Sequence, residues 1–184
     1  QAAAIPVNLY LYMMVSSGSL GMGETVVLTD DDRRGTEGRV TESASGTDFT
    51  LSELSKASIE EGDYTALNML VRYLGRKAIN DYLISLRAAY TDVPLYSSPA
   101  DMAIFYKEIY DRAEISGSVF ADLYNSMSVA EDNRLLTRDF EEYITEYPRG
   151  IQGHEYGMNA LNESGIFLEG SDYIVCVFTQ GTDI

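Results

Sequence analysis

The last extended segment of the chain restricts the possible folds more than any other feature. Six apolar residues follow one another over 173–178 (YIVCVF), with no alternation of apolar and polar positions. Such a run is typical of a strand that is covered on both faces. Left as an exposed edge, it would be an aggregation hazard. We therefore expect partners for this strand, namely further strands and covering helices supplied by an upstream segment or by another chain.

Helix signals dominate the chain before that strand. Thr50 to Glu53 form a capping box, Asp63 can cap a second helix, and Ser98 precedes a proline at the first helical position. The predicted helices cover 6–16, 50–60, 65–74, 78–89, 98–112, 119–127 and 135–144. Extended segments are predicted at 24–29, 150–157, 165–169 and 172–179, with a charged loop over 30–48 and turn chemistry at 162–165.

Helices first and an antiparallel meander last predict an α+β fold. The length of 184 residues fits one domain over 1–184. Its helical part is expected over about 1–148, and its three-strand meander over about 149–180.

The charge balance argues against two classes of partner. Asp and Glu number 29 against 13 Lys and Arg, which gives a net charge of −16. Such a surface repels nucleic-acid phosphates and anionic lipid. No apolar stretch is long enough for a transmembrane helix. The single cysteine, Cys176, excludes an intramolecular disulfide and is expected to be a buried, inert thiol.

Four regions, in order, match the motifs of one family. They are 5–12 (IPVNLYLY), 62–70 (GDYTALNML), 97–103 (SSPADMA) and 154–175, which contains HEYG, NESGI and YIV. With these the chain resembles the class A β-lactamases and penicillin-binding proteins. The resemblance implies a helical half packed beside an antiparallel sheet, usually of five strands. The sequence matches the helical half and the last three strands, and it lacks the family's first helix, first two strands and final helix.

The resemblance implies acyl transfer by a serine, but the reactive positions are replaced. The serine and lysine of the family's S-x-x-K motif align with Gln1 and Ala4. The serine and amide of its second motif align with Gly62 and Tyr64. The cation that binds the substrate carboxylate aligns with Glu155, and a carboxylate there repels such a substrate. The short connection over 89–97 also lacks the glutamate that activates water in class A enzymes.

The residues that remain predict a cleft without catalytic groups. We expect Asp63 to act as a helix cap. His154 and Glu155 are adjacent in a strand and point to opposite faces, so they cannot act together directly, and the resemblance implies a structural role for His154. The resemblance implies a cleft that is lined by Asp63, Tyr64, Tyr96, His154, Glu155, Tyr156 and Gly157. No cofactor is expected, and the three aspartates at 30–32 lack the spacing of an EF-hand metal site.

These observations favour a non-catalytic relative, acting as a binding or scaffold module of the bacterial cell envelope or the extracellular space. The location is implied by the resemblance alone. The alternative is an active serine hydrolase, of β-lactamase or D,D-peptidase type, with a nucleophile misplaced in the alignment or lying upstream. Under either hypothesis, this chain can be one piece of a longer or processed protein.

Overall fold

A computed structural model describes residues 3–129, 149–150, 162–167 and 172–179. These residues form six α-helices and five strands. The helices are α1 (Ala4–Ser16), α2 (Leu51–Glu60), α3 (Tyr64–Leu74), α4 (Arg76–Ser85), α5 (Pro99–Ala113) and α6 (Phe120–Val129). The strands are β1 (Thr25–Val27), β2 (Asp48–Thr50), β3 (Arg149–Gly150), β4 (Asn162–Phe167) and β5 (Tyr173–Phe178). The α+β architecture predicted from the sequence is confirmed.

The helix α1 lies at the centre of the helical part. It is apolar around most of its circumference, and it packs against α2, α3, α4, α5 and α6. A helix that is apolar on every side must be surrounded by other elements. The buried residues of all these helices join one hydrophobic cluster, which also includes Ile166 of the sheet. The core therefore fixes the position of α1, including its first turn.

Local capping explains where three helices begin. The Thr50 side chain accepts a hydrogen bond from the Glu53 N–H, and Glu53 reaches back to Thr50, which completes the predicted capping box. The Asp63 carboxylate caps α3, and Gly75 ends it with a φ of 83°. The Ser98 hydroxyl accepts from the N–H of Asp101 at 3.1 Å at the start of α5.

A two-stranded sheet closes one side of the helical part. The strands β1 and β2 are antiparallel, with Val26 opposite Phe49. The strand β2 was not predicted, because three residues carry too little alternation of apolar and polar positions to indicate a strand. A 3₁₀ turn at Asp30–Asp32 follows β1. Buried Asp32 there forms a two-point ion pair with Arg72 of α3, with distances of 2.6 and 2.9 Å.

The second sheet has the order β3-β4-β5 and is antiparallel. The helix α5 packs against it, and the Tyr106 hydroxyl of α5 lies 3.1 Å from the Ser164 hydroxyl of β4. Within the described part of the chain, β5 pairs along one side only. Its outer residues Tyr173 and Val177 are 49% and 39% exposed, while its inner face contacts the core. Cys176 lies on that inner face, and burial raises the pKa of its thiol to about 11.

Four sequence expectations are either corrected by the structure or fall largely outside the described residues. The helix predicted over 78–89 covers Arg76–Ser85, and Arg87 beyond it has a φ of 68°, which no helix accommodates. Residues 162–165 were predicted to be a turn, but they belong to β4 because pairing with β5 outweighs their local preference. The helix predicted over 135–144 and all of the strand predicted over 150–157 except Gly150 lie outside the described residues.

None of the helices in the described ranges combines the length and the apolar character that crossing a membrane would require.

Candidate functional site

The first turn of α1 holds the position that aligns with the family's lysine. Ala4 stands there and is 1% exposed. The N-terminus of α1 has no side-chain cap and no acidic residue in its first turn. One turn later, the buried Asn8 amide donates to the Ala4 carbonyl and to the Ser58 hydroxyl, both at 2.9 Å. The Asn8 side chain therefore ties α1 to α2, and an amide has no acid–base capacity.

Asp63 is buried and fully used as a hydrogen-bond acceptor. Its Oδ1 accepts from the N–H groups of Thr65 and Ala66, at 2.9 and 3.1 Å, and from the Thr41 hydroxyl at 2.9 Å. Its Oδ2 accepts from the N–H groups of Val40 and Thr41, at 2.8 and 3.1 Å. The carboxylate thus caps α3 and holds the loop at 38–41 in place. This confirms the predicted structural role of Asp63.

The backbone beside Asp63 is tightly packed. Gly38 has a φ of 117°, and a Cβ at this position would lie 2.3 Å from Asp63 Oδ2. A Cβ on Gly35 would lie 3.5 Å from the ring of Tyr64. Gly62, at the position of the second motif's serine, has a φ of 67° and offers no side chain. The half-buried Tyr64 therefore has the backbone of Gly35 close to its ring.

Tyr96 lies on the connection between α4 and α5. Its backbone forms an antiparallel bridge with Asp92, and its side chain is 62% exposed. The Asp92 carboxylate contacts Arg76 and the Asn80 amide, both at 2.6 Å. Its hydrogen bond from Arg76 lowers the pKa of Asp92. The Asp92 carboxylate therefore binds residues in the first half of α4, which follows directly after the end of α3. Tyr64 lies at the beginning of α3, at the end of α3 that is away from α4.

Five of the residues singled out in the sequence lie outside the described part of the chain. They are Gln1, His154, Glu155, Tyr156 and Gly157. The proposed convergence of Tyr64, Tyr96 and Tyr156 on one cleft therefore stays a prediction. Within the described ranges, no group of three or more His, Cys, Asp or Glu side chains is arranged to hold a metal ion.

A polar cleft that was not predicted from the sequence lies between α1, α2 and α6. It has a volume of about 310 Å³, with Tyr12 of α1 among its lining residues. Lys56 and Glu60 line it from α2, and Asp122 and Asn125 line it from α6. The spacing of Lys56 and Glu60 places both on one face of α2. The pairing of that face with α6 cannot be recognised before the packing of the two helices is known.

A sequence model of the β-lactamase enzyme family matches residues 3–183. The chain belongs to this family. A search of curated protein sequences finds no match.

Solved structures share the fold at low sequence identity. A β-lactamase from Sphaerobacter thermophilus is 20% identical with a TM-score of 0.82, over 98% of this chain and 73% of its own. A β-lactamase from Chitinophaga pinensis is 18% identical with a TM-score of 0.80, over 100% and 77%. A point mutant of PBP-A, described as an acyl-enzyme complex with penicillin G, is 18% identical with a TM-score of 0.79, over 95% and 69%.

Proposed function

We propose that this chain is a non-catalytic β-lactamase-like domain that serves as a binding or scaffold module. The observation that carries the proposal is the buried methyl group of Ala4 at the position where acyl transfer by this family requires a lysine. A serine hydroxyl is a weak nucleophile until a neighbouring base accepts its proton. Alanine has no group that can do so.

The rest of the matching positions support the same conclusion. Gly62 has no hydroxyl to pass a proton to a leaving group, and Tyr64 has no amide to hold substrate. Asp63 remains, but both of its oxygens are occupied by hydrogen bonds that stabilise the fold. In the sequence, Gln1 and Glu155 replace the nucleophile and the substrate-binding cation. No set of groups with the roles of nucleophile, base and proton shuttle is left among the matched positions.

The alternative of an active serine hydrolase requires a nucleophile elsewhere. Ser17 and Ser19 lie at the other end of α1, where their hydroxyls bond to each other and Ser17 donates to a backbone carbonyl. Ser58 is buried and donates to the Ser55 carbonyl. Among the serines of the described helices, only Ser52 lies one helical turn from a lysine, four residues before Lys56. No hydrogen bond joins these two side chains.

The test is intact-protein mass spectrometry after incubation with penicillin G. We expect no covalent mass increase in protein that circular dichroism shows to be folded. The PBP-A mutant described as an acyl-enzyme complex with penicillin G is the positive control under the same conditions. An increase by the mass of the penicillin would overturn the proposal. Peptide mapping of that adduct would then identify the nucleophile, with Ser52 as the position to examine first.

Two further features belong to this proposal. Among the described residues, β5 pairs with β4 alone. Its other edge and its exposed apolar residues suit pairing with a strand from an upstream segment or another chain. The family resemblance favours the bacterial cell envelope or the extracellular space as the location. A binding module there would act through its surfaces, with no chemical step.

A further inference from the structure

The polar cleft between α1, α2 and α6 is separate from the positions that match the family's motifs. Tyr12 of its lining is eight residues beyond Ala4, which corresponds to about 12 Å along α1. Lys56 and Glu60 form one wall, and Asp122 and Asn125 form the other. The cleft therefore has charged groups of both signs facing a common space.

The carboxylates of Glu60 and Asp122 both influence the Tyr12 hydroxyl in this cleft. Burial raises the pKa of Tyr12, an interaction with the Ser55 hydroxyl lowers it, and the negative charges of Asp122 and Glu60 raise it again. Both carboxylates line the same cleft as Tyr12, although they belong to different helices. The Ser126 hydroxyl donates to Glu60 Oε1 at 2.7 Å and fixes that carboxylate from the opposite wall.

Most of the polar groups in the cleft are not used inside the protein. Among the described residues, neither Lys56 nor Asp122 takes part in an ion pair, and the Asn125 amide makes no hydrogen bond. One oxygen of Glu60 is also uncommitted. This differs from Asp63, whose two oxygens accept five hydrogen bonds from the protein. The cleft can thus bind a ligand without breaking internal contacts.

We propose that this cleft binds a basic α-amino acid, with the carboxylate of the ligand at Lys56 and its ammonium groups between Glu60 and Asp122. One lysine and two carboxylates give the cleft a charge of −1, which complements the +1 of such a ligand. Tyr12 and Met22 offer apolar contact to the aliphatic stem. A volume of about 310 Å³ is at the small end of ligand sites and suits a single amino acid. The net charge of −16 further favours cations.

The test is isothermal titration of the whole chain with lysine, compared with two analogues that each lack one group. Cadaverine has no carboxylate, and 6-aminohexanoate has no α-ammonium group. We expect saturable binding of lysine and binding at least about tenfold weaker for each analogue, because each loses one charge-assisted contact. Glu60→Gln, Asp122→Asn and Lys56→Met should each weaken lysine binding by a similar factor. Asp111→Asn, at an exposed pair with Lys107 on α5, is the matched control and should leave it unchanged.

Three results would overturn the proposal. One is the absence of saturable lysine binding up to about 10 mM with protein shown to be folded. A second is unchanged binding in the Glu60 and Asp122 variants. The third is cadaverine binding as tightly as lysine, since the carboxylate would then have no partner. None of these results depends on whether penicillin acylates the protein, so this inference and the proposed function fail independently.

Discussion

Replacement of Asp63 by alanine should destabilise the fold strongly. The substitution removes the cap of α3, which is worth about 1 kcal/mol. It also leaves the N–H groups of Val40 and Thr41 without an acceptor beside a buried side chain, and each unsatisfied buried donor costs about 1–3 kcal/mol. We expect the free energy of unfolding to fall by about 3–7 kcal/mol in total.

Asp63→Asn separates the contributions of the two oxygens. The amide oxygen can still cap α3, but the amide N–H₂ then faces the donors of Val40 and Thr41. The free energy of unfolding should lie between those of the wild type and the alanine variant, about 2 kcal/mol below the wild type. Asp81→Asn, in an exposed pair with Lys77, is the control and should cost less than about 0.5 kcal/mol.

Urea unfolding followed by far-ultraviolet circular dichroism measures these differences. The order of stability should be wild type, then the asparagine variant, then the alanine variant. An asparagine variant that is as stable as the wild type, or more stable, would refute the reasoning. Asp63 would then not stabilise the fold, which is typical of residues kept for function at the expense of stability. A loss of only about 1 kcal/mol in the alanine variant would mean that the loop contacts contribute nothing.

Two further predictions concern the packing around this region. Gly38→Ala should lower the free energy of unfolding by more than about 2 kcal/mol, since its methyl group would overlap Asp63. In the control Gly46→Ala, the methyl group meets no atom within 4 Å and adds only the strain of a positive φ. Urea unfolding of both variants tests the difference, and equal losses of stability would contradict the prediction. Burial of Asp32 opposes its ionisation, but hydrogen bonds from Arg72 and Thr29 outweigh this and lower its pKa. Its contribution is therefore present above an ordinary Asp pKa of about 4 and is lost as the pH falls below it. Thermal unfolding from pH 6 to pH 3 should show a smaller decline for Asp32→Asn than for the wild type, and parallel declines would contradict this.

The parts of the fold predicted correctly are those set by local chemistry. Thr50, Asp63 and Ser98 were recognised as caps because a side-chain oxygen and an N–H two or three residues later are close in any chain. The continuous apolar stretch of α1 likewise needed no knowledge of its neighbours. The family motifs gave the architecture, since the order of the motifs reflects the order of the elements.

The errors arise where distant residues decide the structure. Asn162 and Gly165 are turn formers, yet they are extended because β5 lies opposite them. The ion pair of Asp32 with Arg72 joins positions 40 residues apart and left no pattern in the sequence. The polar cleft was missed for the same reason, since Glu60 and Asp122 come together only through the packing of α2 on α6.

The burial of Ala4 also bears on the evolutionary history of the domain. A lysine restored at this position would place an ammonium group in a site where the present residue is 1% exposed. An unpaired buried charge is strongly disfavoured, and the one carboxylate among the matched positions 62–64, that of Asp63, already accepts five hydrogen bonds. Under the proposed function, the first step back toward catalysis is destabilising by itself and brings no activity. Reversion would require several coordinated substitutions, so the loss of the lysine is difficult to reverse. Descendants of this chain would acquire new binding roles more readily than they would regain catalysis.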